Sequence, residues 1–159
     1  MFSDKQFLRS FDNKSVLYVW CEKGYDKAIL PIRSYLEMEF LYERIDHIQL
    51  AAPVGSESEA RGFYRDILGF KEMEKPDTLK KNGGVWFQEG KVAIHIGIED
   101  PFIPAKKAHP AICVKHIEKM QAHLAAKGIE FEIDWKLPGA SRFYMHDPFG
   151  NRIEFLEWI

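Results

Sequence analysis

Residues 144–155 read YMHDPFGNRIEF. The stretch is strand, tight turn, strand. Asp147-Pro148 opens the turn and Gly150-Asn151 closes it, residue types favoured where a chain must reverse. It runs on into RIEFLEW (152–158), a strand-like segment in which one carboxylate, Glu154, stands among apolar neighbours. A carboxylate facing an interior is costly unless something pairs with it. Arg142 and Arg152 lie close enough in the hairpin to be that partner; a bound cation is the alternative.

Working outward, the hairpin closes the second of two similar units. The first begins with an apolar strand, IDHIQLAAP (45–53). GSESEARGFYRDILGF (55–70) then has Ala60, Phe63, Tyr64, Ile67 and Leu68 at helical spacing. Ser56 and Glu59 form a capping box at its start, and Gly69 stands where a helix end wants a left-handed residue. Three short strands follow: FKEME, GGVWFQE and KVAIHIGIE (91–99). The order then recurs. HPAICVK (109–115) is a strand, and HIEKMQAHLAAKG is a helix with Ile117, Met120 and Leu124 inward and Gly128 as its stop. IEFEID, SRFYMHD and NRIEFLEW are three more strands. Each unit reads β-α-β-β-β, a repeat that decides the fold.

The register of the repeat can be counted. Gly69 and His95 are 26 residues apart, and so are Gly128 and Glu154. His47 precedes Gly69 by 22 residues and His109 precedes Gly128 by 19, the difference being a longer first loop. His47 and His109 therefore hold matching first-strand positions, and His95 and Glu154 matching last-strand positions. A lone histidine on a strand is usually just packed. Four metal-competent side chains at the four equivalent positions of a two-fold repeat point instead to a divalent transition metal in a cup. Such a set leaves open positions, as in a catalytic rather than a structural site. His116, His123 and His146 fall outside the register and read as surface or supporting residues.

Composition narrows the function classes. The chain has 159 residues, 46% of them hydrophobic, enough for one domain with a proper core. Its formal net charge of −2 and the lack of a basic stripe argue against a nucleic-acid partner. PAKKAH (104–109) reads as a solvated basic loop. Cys21 and Cys113 make no metal spacing and fit a reducing compartment. VLYVWC (16–21) is too short to span a membrane, and no signal-peptide pattern precedes it, so a cytoplasmic protein without a membrane partner is expected. Residues 1–41 read as an extension, with SVLYVWC as a strand and DKAILPIRSYLEMEFLYE as a helix opened or broken at Pro31. Residues 42–159 form the domain, with modules at about 44–99 and 108–159.

IDHIQLAA, FYRDILGF, VAIHIG, AHPAICV and FYMHDPFGNRIEFLE resemble the vicinal oxygen chelate superfamily over about residues 44–158. That superfamily includes glyoxalase I, the thiol-transferring fosfomycin-resistance proteins, methylmalonyl-CoA epimerase and extradiol ring-cleavage dioxygenases. The resemblance implies an α+β fold of tandem βαβββ modules, curled into a partly open eight-stranded barrel around a metal cup. It implies His47, His109 and Glu154 as ligands, with His95 where many relatives also supply one. The ion is one divalent metal per site: Fe, Zn, Ni, Co or Mn. It also implies chelation of a small substrate through two neighbouring oxygens, with the metal as Lewis acid, and a homodimer in which modules of two chains complete the cup.

Several branches remain open. Glyoxalase I relatives often have Glu where this chain has His95, which leaves Glu154 as the one ligand carboxylate. FYMHDPFGNRIE (143–154) fits the extradiol dioxygenase hairpin pattern, and His47, His109 and Glu154 would suit Fe(II). The stretch Trp135-Lys136-Leu137, where that branch wants a histidine, has none. A fosfomycin-type substrate would ask for cations such as Arg142, Arg152 and Lys106. Bleomycin-binding relatives share the fold and bind without metal. The expected chemistry is a lyase, isomerase or transferase. Glu154 is ligand and base, and Tyr144 donates to an oxyanion. Arg142, Trp86 and Gln49 bind substrate.

Overall fold

The computed structural model describes residues 40–159 and two short strands, β1 (Ser10–Phe11) and β2 (Lys14–Ser15). It divides into two compact units, Met1–Arg44 and Ile45–Ile159. In the first, β1 and β2 pair antiparallel. The strand expected at SVLYVWC lies outside the described residues apart from Ser15, as does most of the helix expected over 26–43. Residues 40–43 are in neither helix nor strand.

In the second unit the repeat is realised strand for strand. The first module is β3 (Ile48–Ala52), a helix, β4 (Lys71–Met73), β5 (Val85–Glu89) and β6 (Val92–Ile98). The second is β7 (Ala111–Cys113), a helix, β8 (Glu132–Ile133), β9 (Ala140–His146) and β10 (Arg152–Trp158). The eight strands form two four-stranded sheets, β3-β6-β5-β4 and β7-β10-β9-β8. In each, the first strand of the module lies parallel to the last, and the other pairings are antiparallel. Parallel pairing needs a crossover, which each module's helix supplies.

The first helix starts as α1 (Glu57–Ala60) and widens into a π-helix, Arg61–Ile67. It buries Ala60, Phe63 and Tyr64 and stops at Gly69, whose φ is +79°. The expected capping box does not form: Ser56 makes no cap bond and its buried Oγ has no partner. Glu57 instead reaches across to accept the Gly84 N–H at 2.9 Å. That bond is the main cause holding the Glu57 carboxyl below its usual range. A short helix the pattern did not suggest, α2 (Asp77–Lys80), precedes β5. The second module's helix, α3 (Ile117–Ala126), buries Ile117 and Leu124 and is followed by Gly128 at φ +71°. Its first free N–H groups, those of His116 and Ile117, donate to the Glu157 carboxylate at 3.0 and 2.9 Å.

One core joins the modules. Phe63, Tyr64, Phe87, Ile94 and Ile96 of the first pack in the same cluster as Ile112, Leu124, Phe143, Ile153 and Phe155 of the second. At its edge the hairpin turn is bolted to the first module. Asp147, 4% exposed, accepts bonds from the N–H groups of Phe149 and Asn151, from Asn151 Nδ2 and from the Tyr64 hydroxyl. Asn151 Nδ2 also donates to the Ala51 carbonyl at 2.7 Å. A buried carboxylate with four donors is fully compensated. Its charge, after burial itself, pushes the Tyr64 phenol well above its usual pKa. No helix among the described residues is long and apolar enough to cross a membrane.

Candidate functional site

The ladders confirm the counted register. Gln49 stands opposite His95 across β3 and β6, and Ala111 stands opposite Glu154 across β7 and β10. His47 lies two residues before Gln49, and His109 two before Ala111. Both histidines thus sit just ahead of their strands, at equivalent places. On the other side of each last strand, Trp86 faces His95 and Tyr144 faces Glu154. By the same equivalence Gly84 matches Arg142, Gln88 matches His146 and Ala93 matches Arg152.

In the first module three rings stack. His95 lies between His47, 4.0 Å away at 20°, and Trp86, 4.1 Å away at 4°. Burial, then the neighbouring His47, push the His95 imidazole below its usual pKa. Gln49 is exposed and lies over Gly97, where a Cβ would meet its amide at 2.8 Å. At Gly84, φ is +76° and a Cβ would collide with the Ile96 carbonyl oxygen.

In the second module His109 Nε2 lies 3.0 Å from Glu154 Oε2. Glu154 Oε1 accepts from Arg142 at 3.3 Å, and Arg142 also holds Asp134 at 3.2 Å. Glu154 is 6% exposed, so this pairing is what makes its burial tolerable. Arg142, expected to hold substrate, is engaged by two carboxylates; its buried Nε has no partner. Tyr144 packs edge-on against His109 at 5.4 Å, and Arg152 lies over its ring at 3.8 Å. Burial, then the Glu154 charge, raise the Tyr144 pKa, keeping the phenol a proton donor at neutral pH.

The four expected ligands therefore come as two pairs. Among the described residues no three His, Cys, Asp or Glu side chains gather where they could hold a metal ion. Each pair nevertheless has ligand chemistry. His47 Nδ1 is tied to Asp46 and His109 Nδ1 to the Lys107 carbonyl, both at 2.9 Å. Holding one ring nitrogen on a carboxylate or carbonyl leaves the other to coordinate, the usual arrangement behind a ligating histidine. The carbonyl of Lys107 can only accept, so His109 Nδ1 carries a proton. Sequence reasoning named Arg152 as a candidate cation but not its stacking on the Tyr144 ring, and it missed Asp134 as a partner of Arg142.

The family model of the Glyoxalase/Bleomycin resistance protein/Dioxygenase superfamily matches residues 44–155. A glyoxalase family protein from Bacillus anthracis is 51% identical, with a TM-score of 0.75 over 77% of this chain and 100% of that one. One from Enterococcus faecalis is 27% identical, with a TM-score of 0.60 over 73% of this chain and 98% of that one. The fosfomycin resistance protein FosX from Listeria monocytogenes is 15% identical (TM-score 0.59, covering 75% and 96%), a likeness of fold alone. None of the curated proteins compared matches the chain.

Proposed function

Because the chain belongs to the Glyoxalase/Bleomycin resistance protein/Dioxygenase superfamily, we propose that it is a divalent-metal-dependent enzyme of lyase, isomerase or transferase type. Its substrate is a small molecule with two neighbouring oxygens. The observation that carries this reading is the ladder equivalence, which sets one pair of metal-competent side chains at the same place in each sheet. One chain offers the pairs separately, so we assign the centre to a homodimer. His47 and His95 of one copy would join His109 and Glu154 of the other. Two-fold pairing gives two such centres. Iron, zinc, nickel, cobalt and manganese all accept this mixed donor set.

When bound, the ion would supply Lewis acidity to a substrate oxygen. The chain's own groups do the rest. Arg142 aims the Glu154 carboxylate, which can then accept a proton from the substrate. Tyr144 donates a hydrogen bond to the oxygen that gains charge. Trp86 offers a flat apolar wall, and Gln49 a polar group beside His95. We infer a cytoplasmic setting, since the exposed thiol of Cys113 fits a reducing compartment.

Metal analysis of untagged protein, followed by titration with small chelating ligands, tests this reading. Protein with no stoichiometric metal, binding ligand equally well after chelator treatment and turning over no 2-oxo aldehyde, epoxide or catechol, would overturn it. A metal-free binding protein of the same fold is the second reading. It is favoured by one observation: Glu154 already has partners in His109 and Arg142. Oxygen consumption with catechols would mark the third, an Fe(II) ring-cleavage dioxygenase.

A further inference from the structure

The first module has no side chain where the second has Arg142. Arg142 reaches Glu154 directly, at 3.3 Å. Its counterpart is Gly84, and His95 is backed instead by Trp86, whose ring lies 4.1 Å away at 4°. A ring can hold an imidazole in one plane only if its own strand is fixed, and the fixing groups lie just ahead of β5. The Gly84 N–H, two residues before Trp86, donates to Glu57 Oε1 at 2.9 Å. The Gly83 carbonyl accepts from the Lys75 ammonium. The same Glu57 oxygen packs over Gly83, where a Cβ would come within 3.1 Å of it. Lys75 also stands 6.0 Å from the centroid of the Trp86 ring. Residues 75–83, with α2 at their centre, are thus a compact loop whose neck is closed by two charged side chains.

We propose that Glu57 and Lys75 are positioning residues for the His47–His95 pair: by clasping Gly83 and Gly84 they set the start of β5, and with it the plane in which Trp86 holds the His95 ring. The first module so achieves through its backbone what Arg142 achieves in the second by direct contact. An N–H bonded to a carboxylate is charge-assisted, stronger than a neutral pair and directional. Without it, two consecutive glycines at φ +66° and +76° are free to rotate. Trp86 stands directly opposite His95 in the ladder, so a shift at the start of β5 reaches the imidazole across one residue pair. Glu57 and Lys75 are only half-buried and lie outside the hydrophobic core, so the cost of losing them falls on this corner rather than on the fold. The inference rests on the proposed function in taking His95 as a working residue.

The test is the aromatic NMR spectrum of the full chain, dialysed against chelator. Stacking between two rings should move the His95 ring protons upfield in the parent. Glu57→Ala is expected to lose most of that displacement while the His109 and Tyr144 signals stay in place. Glu57→Gln, whose amide oxygen can still accept from Gly84, should keep most of it, and Glu59→Ala, a change at an exposed neighbour, all of it. An undisturbed stack in Glu57→Ala, no rescue by Glu57→Gln, or equal disturbance of the second module would overturn the proposal. If Glu57→Ala does not fold, Lys75→Met decides in its place: a weakened stack supports the clasp and an unchanged one overturns it. Zinc binding by calorimetry reads the consequence, expected to be about tenfold weaker in Glu57→Ala. Zinc bound at parent strength by that variant would overturn the positioning role. A parent that binds no zinc would sink the metal reading alone, since the ring shifts are read without metal.

Discussion

His109 and Glu154, 45 residues apart in the chain, meet through Nε2 and Oε2 at 3.0 Å. His109 is set by the approach to β7 and Glu154 by the middle of β10, and the parallel pairing of those strands brings them together. If this contact is half of a metal centre, either side chain is indispensable. His109→Ala and Glu154→Ala are each expected to lose stoichiometric divalent metal, read by elemental analysis of purified protein. Full metal content in both would remove the assignment.

A centre shared between copies makes a sharper forecast. A His47→Ala/His95→Ala chain and a His109→Ala/Glu154→Ala chain should each be empty alone. Unfolded and refolded together, their mixed dimer regains one centre from the two intact halves. Elemental analysis of the isolated mixed dimer should find one ion per dimer. A centre built within a single chain would give none.

The bolt between the modules predicts a stability effect distant from the site. Tyr64→Phe removes a hydroxyl that donates to the buried Asp147 carboxylate at 2.8 Å. A lost hydrogen bond to a charged group of this kind costs about 2 kcal/mol. Urea unfolding should register it as a lower midpoint. An unchanged midpoint would mean that Asp147 is satisfied without the phenol.

Glu157 gives a pH-dependent counterpart. The N–H groups of Ile117 and His116 hold its carboxyl below the usual range. A depressed folded-state pKa means stability that is present above the ordinary carboxylate value and lost as pH falls through the lowered one. Glu157→Gln should therefore unfold at lower urea than the parent at pH 7, with the gap closing in strong acid. A gap of equal size at both ends would contradict the capping role.

Much of this was legible in the chain. Gly69 and Gly128 mark both helix ends because positive φ is cheap only for glycine. Counting from them aligned His95 with Glu154, and the ladders agree. The helix face at Ala60, Phe63 and Tyr64 followed from spacing alone. What spacing could not reach was the choice among polar partners. Ser56 and Glu59 match a cap motif, yet Gly84 offered an N–H to Glu57 instead. Arg142 looked available until the fold set Asp134 and Glu154 against it. The division of four ligands into two pairs was equally hidden, since register gives position within each sheet and not the distance between sheets.

Gly84 occupies the position that in the other module belongs to Arg142, and its left-handed backbone and the Ile96 carbonyl leave no room for a side chain. The duplication is thus locked into unlike halves. No substitution at Gly84 can give the first sheet a counterpart of the arginine that holds Glu154 in the second, so the two modules stay chemically distinct at that position.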